Sequence, residues 1–266
     1  MIPIYASLEG KITVVTGAAG ILGSEVVSQL LSSGAIVCAV DTNRSAMDSV
    51  LGSNNGLHKF ECDVSSDPQV VEVIDAIEEK VGPIYALHNN AATKTASLEN
   101  FFGETLDYDL KTWHEVMNVN LTGMYLMARS ALRFMVRRRE GNILQTASIY
   151  GSTMGPDQRI YKDSRYLGLE ISTPVIYTVS KAGVHGLTNH LATEFGKAGI
   201  RVNTLSPGGI SSGQNEQFEL QYSQRIPLGR MARVHEVASA AVFIMSPDAS
   251  YISGQNILTD GGLSAW

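Results

Sequence analysis

The stretch Lys11-Ile-Thr-Val-Val-Thr-Gly-Ala-Ala-Gly-Ile-Leu-Gly23 decides the fold of this chain. Its first six residues form a β-branched run, which predicts a buried parallel strand. Three glycines follow at Gly17, Gly20 and Gly23, and residues 24–33 then carry apolar side chains at helical spacing. Glycines between a strand and a helix let the main chain approach a pyrophosphate, and the free N–H groups of the helix start complement its charge. The stretch therefore predicts a nucleotide-binding unit.

A second apolar run, Ala35 to Val40, predicts a strand that ends at Asp41. A carboxylate at that strand end can accept hydrogen bonds from the adenosine ribose hydroxyls and repel a 2′-phosphate. Arg44 is the counter-evidence, since a guanidinium there could bind such a phosphate. We weigh Asp41 more heavily and predict NAD rather than NADP as the cofactor.

The alternation of strands and helices continues through the first half of the chain. Residues 57–62 predict a strand ending at Asp63 and Val64, where a side-chain acceptor can meet the adenine amine. Asp67 is predicted as the N-cap of an amphipathic helix that runs from Val70 to Val81.

Residues 83–88 predict a further strand, which ends in Asn89-Asn90-Ala91-Ala92. The pattern βαβαβαβ predicts an α/β fold with a doubly wound parallel sheet, the Rossmann fold, in three α/β/α layers. Ligands of such sheets bind at the carboxyl ends of the strands. No linker or repeat interrupts the pattern, so residues 1–266 are predicted to form a single domain.

Composition restricts the classes of partner. The net charge of −6 argues against nucleic acid or an anionic membrane as the main partner. Cys38 and Cys62 lie in apolar stretches and are expected to be core thiols in a reducing compartment. We expect no metal site, because the six histidines show no ligand spacing, and a cytoplasmic location, because no segment resembles a signal peptide or a membrane span.

The second half carries the candidate catalytic residues. A long helical pattern from Asp109 to Arg138 contains Asn120 in an apolar stretch, where a buried amide needs partners and can distort the helix enough to free a main-chain carbonyl. A structural amide is the alternative. The predicted strand at residues 142–146 leads to Ser148, at the end of the sheet where the cofactor is expected.

Tyr177 and Lys181 are four residues apart, which places the phenol and the ammonium on one helix face. A cation that close favours the phenolate, so we expect it to lower the pKa of the tyrosine. The tyrosine could then exchange a proton with an alcohol or carbonyl oxygen. A partly buried tyrosine beside a solvated lysine is the alternative for this pair taken alone.

Taken together, these residues resemble the short-chain dehydrogenases/reductases along nearly the whole chain. The shared features, in order, are the glycine turn, Asp41, Asp63, Asn89-Asn90-Ala91, Asn120, Ser148-x-x-Gly151, Tyr177-x-x-x-Lys181, Arg201-Val-Asn203, Pro207-Gly208 and Gly254-Gln255 through Asp260-Gly-Gly262. The resemblance implies that Tyr177 is the acid/base, that Lys181 holds the nicotinamide ribose and lowers the pKa of that tyrosine, and that Ser148 binds the reacting oxygen.

The same resemblance implies that Asn120 holds a water that relays protons through Lys181. It also implies the residues that contact the cofactor. These are Gly17, Gly20, Ile21, Leu22, Gly23, Asp41, Asp63, Val64, Asn90, Ala91, Tyr177, Lys181, Pro207, Gly209 and Ile210. Pro207 to Ile210 would lie against the nicotinamide.

Three departures from the family pattern affect the cofactor region. Ile21 stands at a position where many members have glycine. The resulting spacing of Gly17, Gly20 and Gly23 is closer to that of the longer epimerase and dehydratase relatives. This chain looks too short to contain the extra substrate domain of those relatives. Ala92 replaces a frequent glycine, and Ser211-Ser212 replaces a frequent threonine. We expect these changes to tune cofactor contact without abolishing it.

The largest departure lies between Ser148 and Tyr177, which family members place much closer together. The additional polar segment, near residues 155–173, opens beside the reacting atoms, and loops this long are usually functional or disordered. We interpret it as a substrate-binding lid for a polar or charged molecule, with a dispensable loop as the alternative. Together with Pro207-Gly-Gly-Ile210, Gln214 and Gly254-Gln-Asn256, this segment is similar to a bacterial branch of the family that is associated with surface-sugar and flagellin modification. That resemblance implies a sugar-derived substrate, similar to an amino sugar or a nucleotide sugar.

The sequence therefore predicts NAD-dependent hydride transfer at a small-molecule secondary alcohol or ketone. One alternative is sugar epimerisation or dehydration through a keto intermediate, and another is a non-catalytic dinucleotide-sensing protein, although such proteins commonly lose the tyrosine or the lysine. The family also implies a homotetramer or a homodimer.

Overall fold

The structure is a computed structural model that describes residues 5–166 and 168–266. Its strands and main helices, in chain order, are β1 (Ile12–Thr16), α1 (Ile21–Ser32), β2 (Ile36–Asp41), α2 (Arg44–Leu51), β3 (Leu57–Glu61), α3 (Asp67–Lys80), β4 (Ile84–Asn89), α4 (Leu98–Phe101), α5 (Leu110–Met117), α6 (Gly123–Arg138), β5 (Gly141–Thr146), β6 (Arg165–Tyr166), β7 (Leu169–Glu170), α7 (Val175–Phe195), β8 (Ile200–Pro207), α8 (Glu216–Ser223), α9 (Val234–Met245) and β9 (Asn256–Thr259).

Seven of these strands form one parallel sheet in the order β3-β2-β1-β4-β5-β8-β9. Val14 of β1 pairs with Cys38 of β2 on one side and with Leu87 of β4 on the other. The strand order therefore reverses between β1 and β4, which opens a crevice at the carboxyl ends of these strands. The predicted doubly wound parallel sheet is confirmed.

Helices cover both faces of the sheet. On one face α3 and α6 pack through a core that includes Ile74, Ile77 and Met127. On the other face α1 packs against α9 through Val26 and Val242. Burial of these two apolar faces gives the three α/β/α layers that the pattern predicted. Burial also raises the pKa of the Cys38 thiol to about 12 and that of Cys62 to about 11, so both are the expected core thiols.

Two local predictions were wrong or incomplete. Asp67 is the first residue of α3 and not its N-cap, which is Ser66; the Asp67 carboxylate forms an ion pair with Arg129 instead. The helix predicted from Asp109 to Arg138 is divided into α5 and α6 by a π-helical turn at Asn118–Thr122. Asn120 lies within that turn, which agrees with the expected distortion at this residue.

Candidate active site

The glycine turn between β1 and α1 has no room for a side chain at Gly17 or Gly23. Gly17 has φ +63°, and a Cβ added to it would lie 2.8 Å from the Cα of Ala91. A Cβ on Gly23 would lie 2.1 Å from the carbonyl oxygen of Gly17. Gly20 is the N-cap of α1 and no side chain caps that helix, so its first N–H groups are open to an anion. The turn meets the requirements of a pyrophosphate site.

Asp41 and Arg44 differ in the direction of their side chains. The Asp41 carboxylate accepts hydrogen bonds from the main-chain N–H groups of Ala19 (3.0 Å) and Asn43 (3.2 Å), which hold it at the glycine turn. Arg44 donates to the carbonyl oxygen of Lys59 (3.1 Å) and to the Asp48 carboxylate (3.4 Å). The guanidinium is therefore bound by protein groups of α2 and β3.

A cavity of about 260 Å³ lies beside this carboxylate. Gly17, Asp41, Asp63, Val64 and Ala91 are among the residues that line it. Five predicted cofactor contacts, from four separate segments, therefore meet at one cavity. The Asp63 carboxylate accepts from the N–H (2.9 Å) and hydroxyl (2.7 Å) of Ser65, so the loop after β3 fixes its orientation.

Asn90 and Ala91 are held against the glycine turn. Their N–H groups donate to the Thr16 hydroxyl at 2.9 and 3.1 Å, and the Asn90 side chain donates to the Thr16 carbonyl oxygen at 3.2 Å. The half-buried Leu22 instead packs into the core between α1 and α9. Contact between Leu22 and a cofactor would therefore involve its main chain.

A second cavity, of about 350 Å³, contains the candidate reacting groups, and we call it the catalytic cavity. Ser148 and Tyr177 line it, and so do Ile21, Gly208 and Gly209 from the dinucleotide side. Gly209 is fixed there because its N–H donates to the Tyr222 hydroxyl at 2.8 Å. The catalytic cavity therefore brings a hydroxyl and a phenol next to residues predicted to contact the cofactor.

Pro207 and Ile210 are the remaining residues predicted to contact the nicotinamide. Pro207 is buried at the end of β8, and Ile210 forms an isolated β-bridge with Ala232. Ile210 packs against the core between α1 and α9. The structure does not bring either side chain into the lining of the catalytic cavity.

Lys181 is buried and does not line this cavity, and its ammonium donates to the carbonyl oxygen of Thr146 at 2.9 Å. Burial lowers the pKa of Lys181 to about 8. Burial also raises the pKa of Tyr177, and the neighbouring Ser148 hydroxyl opposes that shift. The expectation that Lys181 lowers the pKa of this tyrosine is therefore wrong for the chain alone, because desolvation of the phenol outweighs any effect of the ammonium.

Asn120 is fully buried at the π-helical turn. Its side-chain oxygen accepts from the N–H of Thr93 at 2.9 Å, and its amide group donates to the Ser180 hydroxyl at 3.5 Å. Ser180 in turn donates to the carbonyl oxygen of Tyr177 at 2.9 Å. Asn120 thus connects the loop after β4 to the helix that carries Tyr177 and Lys181.

The insertion at residues 155–173 also lines the catalytic cavity. Tyr161, Tyr166, Ile171, Ser172 and Thr173 contribute to its wall. The insertion therefore shares this cavity with Ser148 and Tyr177. Its charged side chains are not in that wall, however.

Asp157 illustrates why the charged side chains are absent from the wall. Its carboxylate binds Arg159 (2.8 Å) and Arg225 (3.1 Å), so charges of the insertion pair with each other and with the segment after α8. Inside the cavity the insertion presents mainly aromatic and aliphatic groups. The substrate-binding lid for a polar or charged molecule stays a prediction.

Sequence reasoning missed several aromatic residues of the catalytic cavity. They are Phe101 and Phe102 at the end of α4, and Phe218 and Tyr222 in α8. Tyr161 of the insertion stacks on Phe218 with ring centroids 5.4 Å apart. The apolar residues of short helices look like ordinary core residues in a sequence, so only a cluster of aromatics outside the βα pattern could have indicated them.

Among the residues that the structure describes, no group of three or more His, Cys, Asp or Glu side chains could hold a metal ion. No helix in the described ranges is both long and apolar enough to span a membrane.

Comparison with known proteins gives matches along the chain. A family model described as short chain dehydrogenase matches residues 11–166, and one described as enoyl-(acyl carrier protein) reductase matches residues 166–264. The 3-oxoacyl-(acyl-carrier-protein) reductase FabG of Thermotoga maritima is 32% identical, and the match covers 96% of this chain and 98% of the relative. D-threitol dehydrogenase of Mycolicibacterium smegmatis is also 32% identical, with 96% and 93% covered.

A solved structure is similar over almost the same range. It is a short chain dehydrogenase from Leptospira borgpetersenii with bound NAD⁺, which superposes with a TM-score of 0.86 at 31% identity. The superposition covers 99% of this chain and 97% of that one.

Proposed function

Because this chain belongs to the short-chain dehydrogenase/reductase family, we propose that it is an NAD-dependent oxidoreductase that interconverts a secondary alcohol and its ketone. The main support is the catalytic cavity, where Ser148 and Tyr177 lie beside Ile21, Gly208 and Gly209. The presence of both Tyr177 and Lys181 favours an enzyme over a dinucleotide-sensing protein.

The choice of NAD rests on the two side chains that follow β2. The Asp41 carboxylate lies at the glycine turn, where it would repel a 2′-phosphate, and Arg44 is bound by Asp48 and the main chain of Lys59. The Leptospira relative contains bound NAD⁺, which is consistent with this choice. Gly17, Gly20 and Gly23 would hold the pyrophosphate and Lys181 the nicotinamide ribose. When bound, NAD⁺ supplies the hydride acceptor.

In the direction of ketone reduction, Tyr177 acts as the acid. Its raised pKa keeps the phenol protonated at neutral pH, so it can donate its proton to the oxygen that gains charge as the carbon receives the hydride. The Ser148 hydroxyl holds that oxygen in place. In the direction of oxidation the alcohol proton passes to Tyr177, which requires the cofactor and the cationic Lys181 to favour the phenolate.

Lys181 supplies the connection to solvent protons. A pKa of about 8 lies close to neutral pH, which suits a group that exchanges protons during turnover. Asn120 holds the π-helical turn beside the helix of Lys181, where a main-chain carbonyl could bind the relay water. We keep the homotetramer or homodimer and the cytoplasmic location as predictions.

The test is the variant Tyr177→Phe, which removes the phenolic oxygen and keeps the aromatic ring with its packing against apolar neighbours such as Phe101 and Phe218. We expect kcat to fall by about 10²–10⁴-fold, because general acid catalysis is lost, while the Kd for NAD stays within about threefold. Turnover is measured as NADH absorbance with a panel of sugars, polyols, steroids and acyl ketones. Tyr251→Phe is the control, since Tyr251 is fully exposed to solvent.

Normal turnover in Tyr177→Phe would refute the assignment of the acid. The same assay with NADP tests the cofactor, and we expect kcat/KM to be at least about tenfold higher with NAD. Equal or better use of NADP would contradict the role given to Asp41. Product formation without net change in NADH would favour the epimerase or dehydratase alternative.

A further inference from the structure

The catalytic cavity is walled by two aromatic groups that meet at Tyr177. Phe101 and Phe102 form one group, with ring centroids 5.2 Å apart, and Tyr161 and Phe218 form the other. Tyr177 packs against both hydrophobic clusters to which these pairs belong. Flat aromatic side chains on both sides of the reacting phenol favour a substrate whose alcohol or ketone is carried by a ring.

The charge in this cavity is strongly one-sided. Among the described residues that line the cavity, Lys94 carries the one charged side chain, and none of them is a carboxylate. Within the described ranges its ammonium forms no ion pair, and its identified interaction is with the Tyr166 ring, whose centroid is 4.9 Å from Nζ. Lys94 is exposed as a whole residue, and partial burial lowers the pKa of its ammonium. The cation is therefore accessible to an anion that enters the cavity.

The main chain fixes Lys94 at the cavity. Thr95, the next residue, has φ +62°, a left-handed conformation that is unfavourable for a β-branched side chain. It is held there because its N–H donates to the Thr93 hydroxyl (2.9 Å) and its own hydroxyl donates to the carbonyl oxygen of Ser97 (3.1 Å). Strain of this kind is typical of binding sites.

Lys94 lies against the insertion, because its ammonium is 4.9 Å from the ring centroid of Tyr166. Both side chains retain solvent exposure, which places this pair at the cavity mouth, whereas Ser148 is buried. The lining of one cavity therefore combines an exposed cation with the buried hydroxyl of Ser148.

We propose that the substrate is a ring-bearing secondary alcohol, or the corresponding ketone, with a carboxylate that Lys94 binds at the cavity mouth. This inference rests on the proposed function, because it takes the reacting oxygen to lie at Ser148 and Tyr177. A single lysine matches the single charge of a carboxylate, whereas the walls offer the ring apolar contact. The expected polar substrate is thus polar at its two ends and apolar between them.

The experiment compares two ligands of nearly the same shape, of which 3-oxocyclohexane-1-carboxylate is anionic and 3-oxocyclohexane-1-carboxamide is neutral. A ketone and NAD⁺ are both oxidised and do not react, so titration calorimetry of the full chain with saturating NAD⁺ measures binding alone. We expect the wild type to bind the carboxylate about tenfold more tightly than the carboxamide. Lys94→Met should remove this preference, and Lys94→Arg should retain it.

The control is Lys162→Met, because Lys162 is an exposed lysine of the insertion that does not line the cavity. This variant should keep the tenfold preference. Equal binding of the two ligands by the wild type, or a preference that survives in Lys94→Met, would overturn the proposal.

The failure of this proposal is distinguishable from that of the proposed function. Turnover by Tyr177→Phe tests the chemistry, whereas the calorimetric preference tests the carboxylate site. A normal Tyr177→Phe enzyme with a Lys94-dependent preference would overturn only the chemistry. Loss of turnover in Tyr177→Phe without any charge preference would overturn only the carboxylate site.

Discussion

The dinucleotide cradle and the catalytic cavity lie at the same end of the sheet but are built from different parts of the chain. The cradle, residues 16–23 with Asp41 and the Asn90-Ala91 pair, is shaped by main-chain atoms that approach closely where side chains are absent. The catalytic cavity is shaped by side chains from α4, the insertion and α8, which are far apart in sequence. A short motif can specify the first region, whereas the second depends on tertiary packing.

Among the variants that test this contrast between the two regions, the largest effect is expected from adding one methyl group to the cradle. The Cβ in Gly23→Ala would lie 2.1 Å from the Gly17 carbonyl oxygen, so the turn must move. We expect NAD affinity to fall by about a hundredfold and the free energy of unfolding to fall by about 1–3 kcal/mol. Calorimetry and urea unfolding measure the two quantities.

Gly155→Ala is the matched control, because a Cβ at Gly155 in the insertion meets no described atom within 4 Å. It should change neither NAD affinity nor stability appreciably. If Gly23→Ala bound NAD as tightly as Gly155→Ala, the cradle would not depend on main-chain approach, and the contrast between the two regions would fail.

The same contrast explains how much of the molecule could be predicted. The order of strands and helices followed from β-branched runs and helical spacing, because parallel strands are buried on both faces and are apolar throughout. Strand ends differed by a residue or two, as at residues 57–62, where β3 ends at Glu61. The N-cap of α3 was misassigned because Ser66 and Asp67 are both residues that favour caps.

Site residues fall into the same two groups. The cradle residues could be named because each occupies a fixed place in a local motif. Phe101, Phe218 and Lys94 could not, since neither their position in a helix or loop nor their chemistry distinguishes them until the chain is folded. The electrostatics of Tyr177 and Lys181 were misjudged for the same reason: spacing gives proximity, but burial is a property of the whole fold.

The buried ammonium of Lys181 gives the second prediction, and its sign can be worked out. In the folded chain the pKa of Lys181 is about 8, below its ordinary value of 10.5. Between these two pH values the unfolded chain therefore binds more protons at this lysine than the folded chain does. Stability therefore rises with pH across that window, because the cost of burying the charge disappears. In Lys181→Met this cost is absent at every pH.

Urea unfolding of both proteins at pH 7 and pH 9.5 measures the difference. We expect the wild type to gain about 2 kcal/mol relative to Lys181→Met between these two pH values. Loss of the hydrogen bond to the Thr146 carbonyl oxygen affects the variant at both pH values and cancels in the comparison. If the difference in the free energy of unfolding between the two proteins were the same at pH 7 and pH 9.5, the folded chain would not desolvate this lysine.

The smallest expected effect tests whether the insertion belongs functionally to the catalytic cavity. Replacing residues 157–172 by a short Gly-Ser linker removes Tyr161, Tyr166 and Ile171 from the wall and leaves the cradle untouched. We expect KM for the substrate ketone to rise about tenfold, because several apolar contacts are lost, while the Kd for NAD stays unchanged. Steady-state kinetics and calorimetry give the two values.

Two point variants test the same role of the insertion in case the shortened chain does not fold. Tyr161→Leu removes the ring that stacks on Phe218 and should raise the same KM by a smaller factor. Arg159→Ala changes a side chain that is 89% exposed and outside the wall, so it should leave KM unchanged. If KM stayed constant in both the shortened chain and Tyr161→Leu, the insertion would be a dispensable loop, because its aromatic wall would then contribute nothing to substrate binding.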